Sequence, residues 1–95
     1  SHTHIPTADA QILPNGTAYL TDAGMCGCFD SVIGMDKKEP VSRFVTGLRN
    51  EKFQPVKGDA TVCVVLIDTN DKTGLAERIY MIRYGGRLQE SLPPL

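Results

Sequence analysis

The apolar positions of this chain fall into two different rhythms. Val41, Phe44, Val45 and Leu48 stand at i, i+3, i+4 and i+7, the spacing that puts side chains on one stripe of a helix. Asp36 precedes the stripe as a candidate N-cap, and Glu39 follows it by three residues, as in a capping box. Pro40 falls in the first turn, where its missing N–H has no partner to lose, and Gly47 weakens the far end. A helical stripe of this kind is expected to face a core. From Thr61 to Thr69 the rhythm changes to a β-branched run that is apolar on both faces, the pattern of a strand covered on both faces. Asn70 to Gly74 reads as a hairpin loop, and Leu75 to Tyr84 as the returning strand. Ile79 and Met81 share one face of that strand, and Arg78, Tyr80 and Ile82 the other.

The first third is less regular. Ala8 to Asn15 is a polar stretch that ends in a Pro14-Asn15-Gly16 turn, followed by a short strand candidate at Thr17 to Thr21. Asp22 to Asp30 reads as loop, and Ser31 to Met35 is too brief to assign. Gly85-Gly86 ends the last strand, and Pro93-Pro94 marks a loose terminus. The sum is an α+β piece with one clear helix and a β-hairpin. At 95 residues it amounts to a single small domain, 1–95, with a modest core.

Composition narrows the choice of function. A net charge of -1 gives no basic surface for a nucleic-acid polymer, and no charge run suggests a tail. The longest strongly apolar run, Val62 to Ile67, is far too short to span a bilayer. The residues present open with no leader pattern, and three cysteines make no disulfide framework, so a reducing, cytoplasmic setting is expected. Cys26 and Cys28 lack the second thiol pair a structural zinc site needs, so they read as small loop thiols, and Cys63 as a buried strand cysteine.

Only His2 and His4 form a chemical constellation by themselves. On a strand, residues i and i+2 point to one face, their Cα atoms about 6.5 Å apart. Two neutral imidazoles so placed can each serve one of two adjacent metal ions, with a bridging water as nucleophile. A bare His-x-His is common by chance, however, and two ligands complete no metal shell. Ser1-His2 alone also fits the end of an expression tag.

The longer string narrows the reading. Ser1-His2-Thr3-His4-Ile5-Pro6-Thr7-Ala8-Asp9 is followed by Ile12-Leu13-Pro14-Asn15-Gly16-Thr17-Ala18-Tyr19-Leu20-Thr21-Asp22-Ala23-Gly24-Met25, and then by Asp30-Ser31-Val32-Ile33-Gly34-Met35. This resembles the bacterial YmdB-like metallophosphoesterases, a calcineurin-like branch with cyclic-nucleotide phosphodiesterase activity. The resemblance covers essentially the whole chain, most densely residues 1–48. It implies that Ser1-His2-Thr3-His4 is the family's final metal motif, with His2 on one ion and His4 on the other. It also implies a layered α/β/β/α sandwich, of which this chain is the C-terminal third, and two divalent ions (iron, manganese or zinc). The family's other ligands, an early Asp, a Glu-Asn pair, an Asn-His pair and a further His, have no counterpart here. The proton donor, the His of the Asn-His pair, is likewise missing, so no catalytic residue is assigned to this chain. The expected partner is the upstream portion of the same enzyme or another copy of the chain, and without it the double-faced apolar strand would be exposed core. The competing reading is a non-catalytic α+β assembly module.

Other polar residues carry two readings each. Thr7 and Asp9 either stand beside the metal ligands or touch substrate, against a plain loop cap or Asx-turn. Asp22 and Asp30 flank a glycine-containing loop and offer either metal oxygens or turn contacts. Ser31 has no His or Asp partner by spacing. Arg78, Arg83 and Arg87 either meet a phosphate or end in solvent.

Overall fold

The computed structural model describes residues 1–94. Its regular elements are β1 (Gln11–Ile12), β2 (Ala18–Tyr19), α1 (Lys38–Thr46), β3 (Val62–Thr69) and β4 (Ala76–Tyr84). They form two separate two-stranded sheets, both antiparallel, and one helix, an α+β arrangement. β1 lies inside the stretch that reads as merely polar, because two paired residues are too few to set up an alternation. β3 and β4 form the hairpin that the sequence predicts. Val62 pairs with Tyr84, Val64 with Ile82, and Leu66 with Tyr80, and the register shifts between Asp68 and Thr69. In the loop, the Asn70 side chain accepts from the Lys72 and Thr73 amides, and Gly74 takes a left-handed conformation with φ 73°. β4 packs on both β1 and β2, and the Ala76 amide donates to the Gly16 carbonyl at 2.9 Å.

α1 ends as expected and begins otherwise. Gly47 closes it in the left-handed region, its amide donating to the Arg43 carbonyl. The capping box does not form. Asp36 accepts only from the Lys38 amide, at 3.0 Å. Glu39 turns the other way instead, accepting from Arg43 Nε at 2.9 Å and the Asn50 amide at 2.8 Å. Arg43 in turn lies 3.9 Å over the Phe53 ring. The same choice overturns the expectation that the apolar stripe faces a core. Glu39 is the buried residue of the helix, while Phe44 is 93% exposed and Val41, Val45 and Leu48 are also exposed. The stripe is apolar, but the side of α1 that this chain covers is the polar Glu39–Arg43 side.

The hairpin shows the same imbalance. Cys63 is buried on one face of β3, and the opposite face presents Val62, Val64 and Leu66, all exposed. Tyr80, Ile82 and Tyr84 continue that face across the ladder. Cys28 and Cys63 are the only buried hydrophobic side chains among the described residues. The radius of gyration is 17.2 Å, against about 12 Å for a compact chain of this length. The accessible surface is 6939 Å², roughly 1,500 Å² above the usual figure for a monomer of this mass. No helix among the described residues is long and apolar enough to cross a membrane.

Candidate functional site

Residues 1–7 form no strand. They bend along the Asp22–Met25 segment, tied to it by the Thr7 amide on the Asp22 carbonyl (3.0 Å) and the Met25 amide on the His4 carbonyl (3.1 Å). The picture of His2 and His4 as same-face residues of a strand is therefore corrected. The cause is the Asp22 carboxylate. The His2 amide reaches Asp22 Oδ2 at 3.1 Å and the Thr3 amide reaches the same oxygen at 2.6 Å. Successive amides of a pleated strand point in opposite directions and cannot share one oxygen. Thr3 Oγ1 also donates to Oδ2 at 2.7 Å, while the Ser1 hydroxyl and the Gly24 amide donate to Oδ1. Asp22 is 5% exposed, and five donors surround it. The Ser1 hydroxyl is the largest of the influences that hold its carboxyl far below the ordinary range.

Gly24 allows the two segments to meet. Its φ is 88°, and a Cβ there would lie 2.8 Å from the Pro6 ring, so any side chain would push the histidine loop away.

His4 carries the more informative contact. Its Nδ1 lies 2.8 Å from the Ile33 carbonyl oxygen. A carbonyl only accepts, so Nδ1 bears the proton, and Nε2 is the nitrogen through which a neutral ring could bind a metal. His4 and Ile33 are also the two non-glycine residues with positive φ among the described residues, at 66° and 47°. Ile33 and Gly34 (φ 92°) are the central residues of a tight turn, closed by reciprocal 2.9 Å bonds between Val32 and Met35. Positive φ at both central positions is the type I′ form, which usually takes Asn-Gly. A β-branched residue there costs about 1–2 kcal/mol. Ser31 braces the turn, donating to the Cys28 carbonyl at 2.6 Å and accepting from the Gly34 amide at 2.9 Å. Its hydroxyl thus has a local task and no base beside it. The two positive-φ residues are thus joined by one hydrogen bond to a ring nitrogen, and such backbone outliers cluster at functional sites.

Thr7 and Asp9 reach the histidine loop only at one remove. Asp9 accepts from the Thr7 hydroxyl at 2.7 Å, from the Thr21 amide at 3.2 Å and from the Thr21 hydroxyl. Those bonds, the Thr21 hydroxyl foremost, pull its carboxyl down to about 2. Thr7 Oγ1 accepts from the Asp22 amide at 3.0 Å, so the pair steadies the backbone that carries Asp22.

The remaining candidates lie elsewhere. Asp30 pairs with Lys37 (2.7 Å) and Arg87 (3.5 Å). Arg78 pairs with Asp68 at 2.7 Å, and Arg83 donates to the Gln89 carbonyl. The three arginines therefore converge on no common point. All three cysteines are free: Cys26 is exposed, and Cys28 is buried although it sits in a loop. Burial pushes the Cys63 thiol up. Among the described residues, no three or more His, Cys, Asp or Glu side chains gather as a complete metal site. The donor set fits a metal ligand in part: His4 bonds the Ile33 carbonyl through Nδ1, which leaves Nε2 for a metal, and His2 is exposed on a backbone held by Asp22.

Sequence reasoning undervalued Asp22 and missed the Ile33 carbonyl. A backbone acceptor leaves no trace in residue identity, and Ile-Gly is not a recognised I′ pair. The positive-φ signal became visible only in the backbone.

A family model described as YmdB-like protein matches residues 1–82. A Bacillus subtilis (strain 168) protein named 2',3'-cyclic-nucleotide 2'-phosphodiesterase is 45% identical over 82 residues, covering 86% of this chain and 31% of that protein. The crystal structure of a Mycoplasma pneumoniae protein described as a novel phosphatase superposes with a TM-score of 0.83 at 38% identity. That match covers 90% of this chain and 30% of that one. A Thermus thermophilus protein, described as hypothetical, superposes with a TM-score of 0.80 at 34% identity, over 92% of this chain and 33% of its own. The chain thus spans about a third of the length of these relatives.

Proposed function

The chain belongs to the YmdB-like family, and from that premise we propose that it is the His2-Thr3-His4 part of a metal-dependent phosphoesterase acting on cyclic nucleotides or related phosphodiesters. The observation that carries this reading is the 2.8 Å bond between His4 Nδ1 and the Ile33 carbonyl. Histidines that bind metals characteristically give their other N–H to a carbonyl or carboxylate, which fixes the tautomer and the ring plane.

His2 and His4 are the proposed ligands, one to each of two divalent ions of iron, manganese or zinc. When bound, such a pair activates a water as nucleophile and stabilises charge on a phosphoryl oxygen. This chain's share is to hold two imidazoles ready, with Asp22 gathering the loop and with Thr7 and Asp9 steadying the backbone behind it. The remaining ligands and the proton donor come from outside these residues.

The same reading accounts for the exposed apolar surface. The Val62–Tyr84 face of the hairpin and the Val41–Phe44 stripe of α1 are the seats for the rest of a layered α/β/β/α sandwich. Roughly 1,500 Å² of excess surface is about twice what one partner contributes to a standard interface. It matches an obligate association better than a passing one. The partner is the upstream portion of the same enzyme, or a second copy supplying the equivalent faces. The chain alone is inactive on this reading.

A second reading, a non-catalytic assembly module, draws on the same apolar faces and on the absence of a complete ligand cluster among the described residues. One experiment separates the two. The chain is joined to, or co-produced with, the upstream portion, and its metal content and its hydrolysis of a 2',3'-cyclic nucleotide are measured. The enzyme reading expects about two ions per assembly, and loss of both metal and activity, by about a hundredfold or more, in His2→Ala and His4→Ala. Unchanged metal content and activity in both variants would remove His2 and His4 from the metal site and leave this chain a non-catalytic part of the assembly.

A further inference from the structure

We infer that Asp22 and the Ile33 carbonyl are the positioning groups of the histidine loop, which present His4 Nε2 for coordination before any ion arrives. The inference rests on the ligand role proposed above and goes beyond it, since it names what sets the ligand geometry and which ring nitrogen coordinates.

Three observations on separate elements meet at this point. Asp22 binds the His2 and Thr3 amides through one oxygen, and the Thr3 hydroxyl joins them there, so the loop closes around a carboxylate of the chain itself. His4 is held in the left-handed region by its neighbours' bonds: its carbonyl accepts from Met25 and its amide donates to the Ser1 hydroxyl at 3.2 Å. The Ile33 turn is built independently, by Ser31 and by the Val32–Met35 pair, and it delivers a carbonyl that can only accept. Metal binding to such a loop has less side-chain and backbone freedom to remove, so affinity is gained through order already present. An isoleucine held at φ 47° is the strain that accompanies the placing of that carbonyl.

The test reads the ring directly. The assembled protein, produced with 15N-labelled histidine and stripped of metal, is studied by long-range proton–nitrogen NMR at a pH where the rings are neutral. His4 is expected as the Nδ1–H tautomer, with Nε2 carrying the lone pair. Added zinc should then move the Nε2 resonance of His4 and leave Nδ1 protonated. An Nε2–H tautomer, a zinc shift at Nδ1, or no zinc shift at His4 would each overturn the inference. Asp22→Asn provides the second arm, since it keeps the shape but replaces acceptor lone pairs with N–H. It should weaken zinc binding by about tenfold or more, the usual effect of removing a group that orients a ligand. It should also shift the His2 and Thr3 amide resonances. Zinc affinity within about twofold of the parent, well short of that usual effect, with those resonances unmoved, would remove Asp22 from the scheme. Neither arm uses a substrate, so a protein with the expected tautomer but no phosphodiesterase activity would refute the proposed reaction and leave the positioning scheme standing.

Discussion

Residues 1–35 and residues 38–84 are organised on opposite terms. In the first region almost nothing apolar is buried, yet the polar groups find their partners close by: Asp22 with five donors, Asp9 with three, Ser31 as both donor and acceptor. In the second region the regular elements are a helix and a two-stranded ladder, while Phe44, Val45, Leu66 and Tyr84 stand in solvent. Geometry in the first region is set by directional bonds between segments well apart in the chain, Asp22 with His2 and Thr3, and Ile33 with His4. The second region leaves its apolar faces exposed, so its stability gains little from their burial. Directional bonds thus define the His2–His4 loop without the area-dependent burial that the helix and hairpin faces lack.

The largest expected effect tests the second region. Leu66→Asp places a charge at the centre of the open hairpin face. If that face is buried in the assembled protein, the substitution costs on the order of 4 kcal/mol, as for an uncompensated buried charge. Co-purification with the upstream portion should be lost, whereas the 95-residue chain alone should be scarcely altered in circular dichroism. Equal effects in both would mean that the face is not an interface.

Gly24→Ala tests the first region. The new Cβ meets the Pro6 ring at 2.8 Å in a backbone conformation that alanine disfavours, a strain of about 1–3 kcal/mol. Hydrogen exchange should show the amides of His2, Thr3 and Met25 losing protection while the β3–β4 ladder keeps its own. Loss of protection in both regions together would contradict the local organisation of the loop.

A pH titration extends the contrast within the second region. Glu39 has its carboxyl held down to about 2, chiefly by Arg43. A carboxyl lowered on folding gives stability that is fully present above its ordinary value near 4.5 and is lost as pH falls through the folded value. Helicity should therefore decline between about pH 4.5 and pH 2, and Glu39→Gln should flatten that decline. Arg78→Ala is the smallest change. It removes an exposed pair with Asp68 and should shift the unfolding free energy by less than about 1 kcal/mol.

Much of this contrast is readable in the sequence. The β-branched run and its Asn70–Gly74 loop give the hairpin, the 3.6-residue spacing gives α1, and the string from Ser1 to Met35 points to the family. The direction of the helix stripe is not readable. Periodicity says that Val41, Phe44, Val45 and Leu48 lie together, but not whether their cover belongs to the same piece of chain. The loop's curvature is hidden for another reason. His-x-His looks the same on a strand and in a bend, and the choice is made about twenty residues away, by one carboxylate at Asp22. The Ile33 contribution lies wholly in a carbonyl oxygen and a backbone angle, which no residue letter records.

The decisive measurement is a crystal structure of the assembled, metal-loaded protein. His4 Nε2 should lie about 2.0–2.1 Å from one ion, with Nδ1 still bonded to the Ile33 carbonyl and His2 on the second ion. Ions coordinated without either histidine, or His4 turned so that Nδ1 binds metal and the Ile33 bond is broken, would contradict the proposed ligand loop.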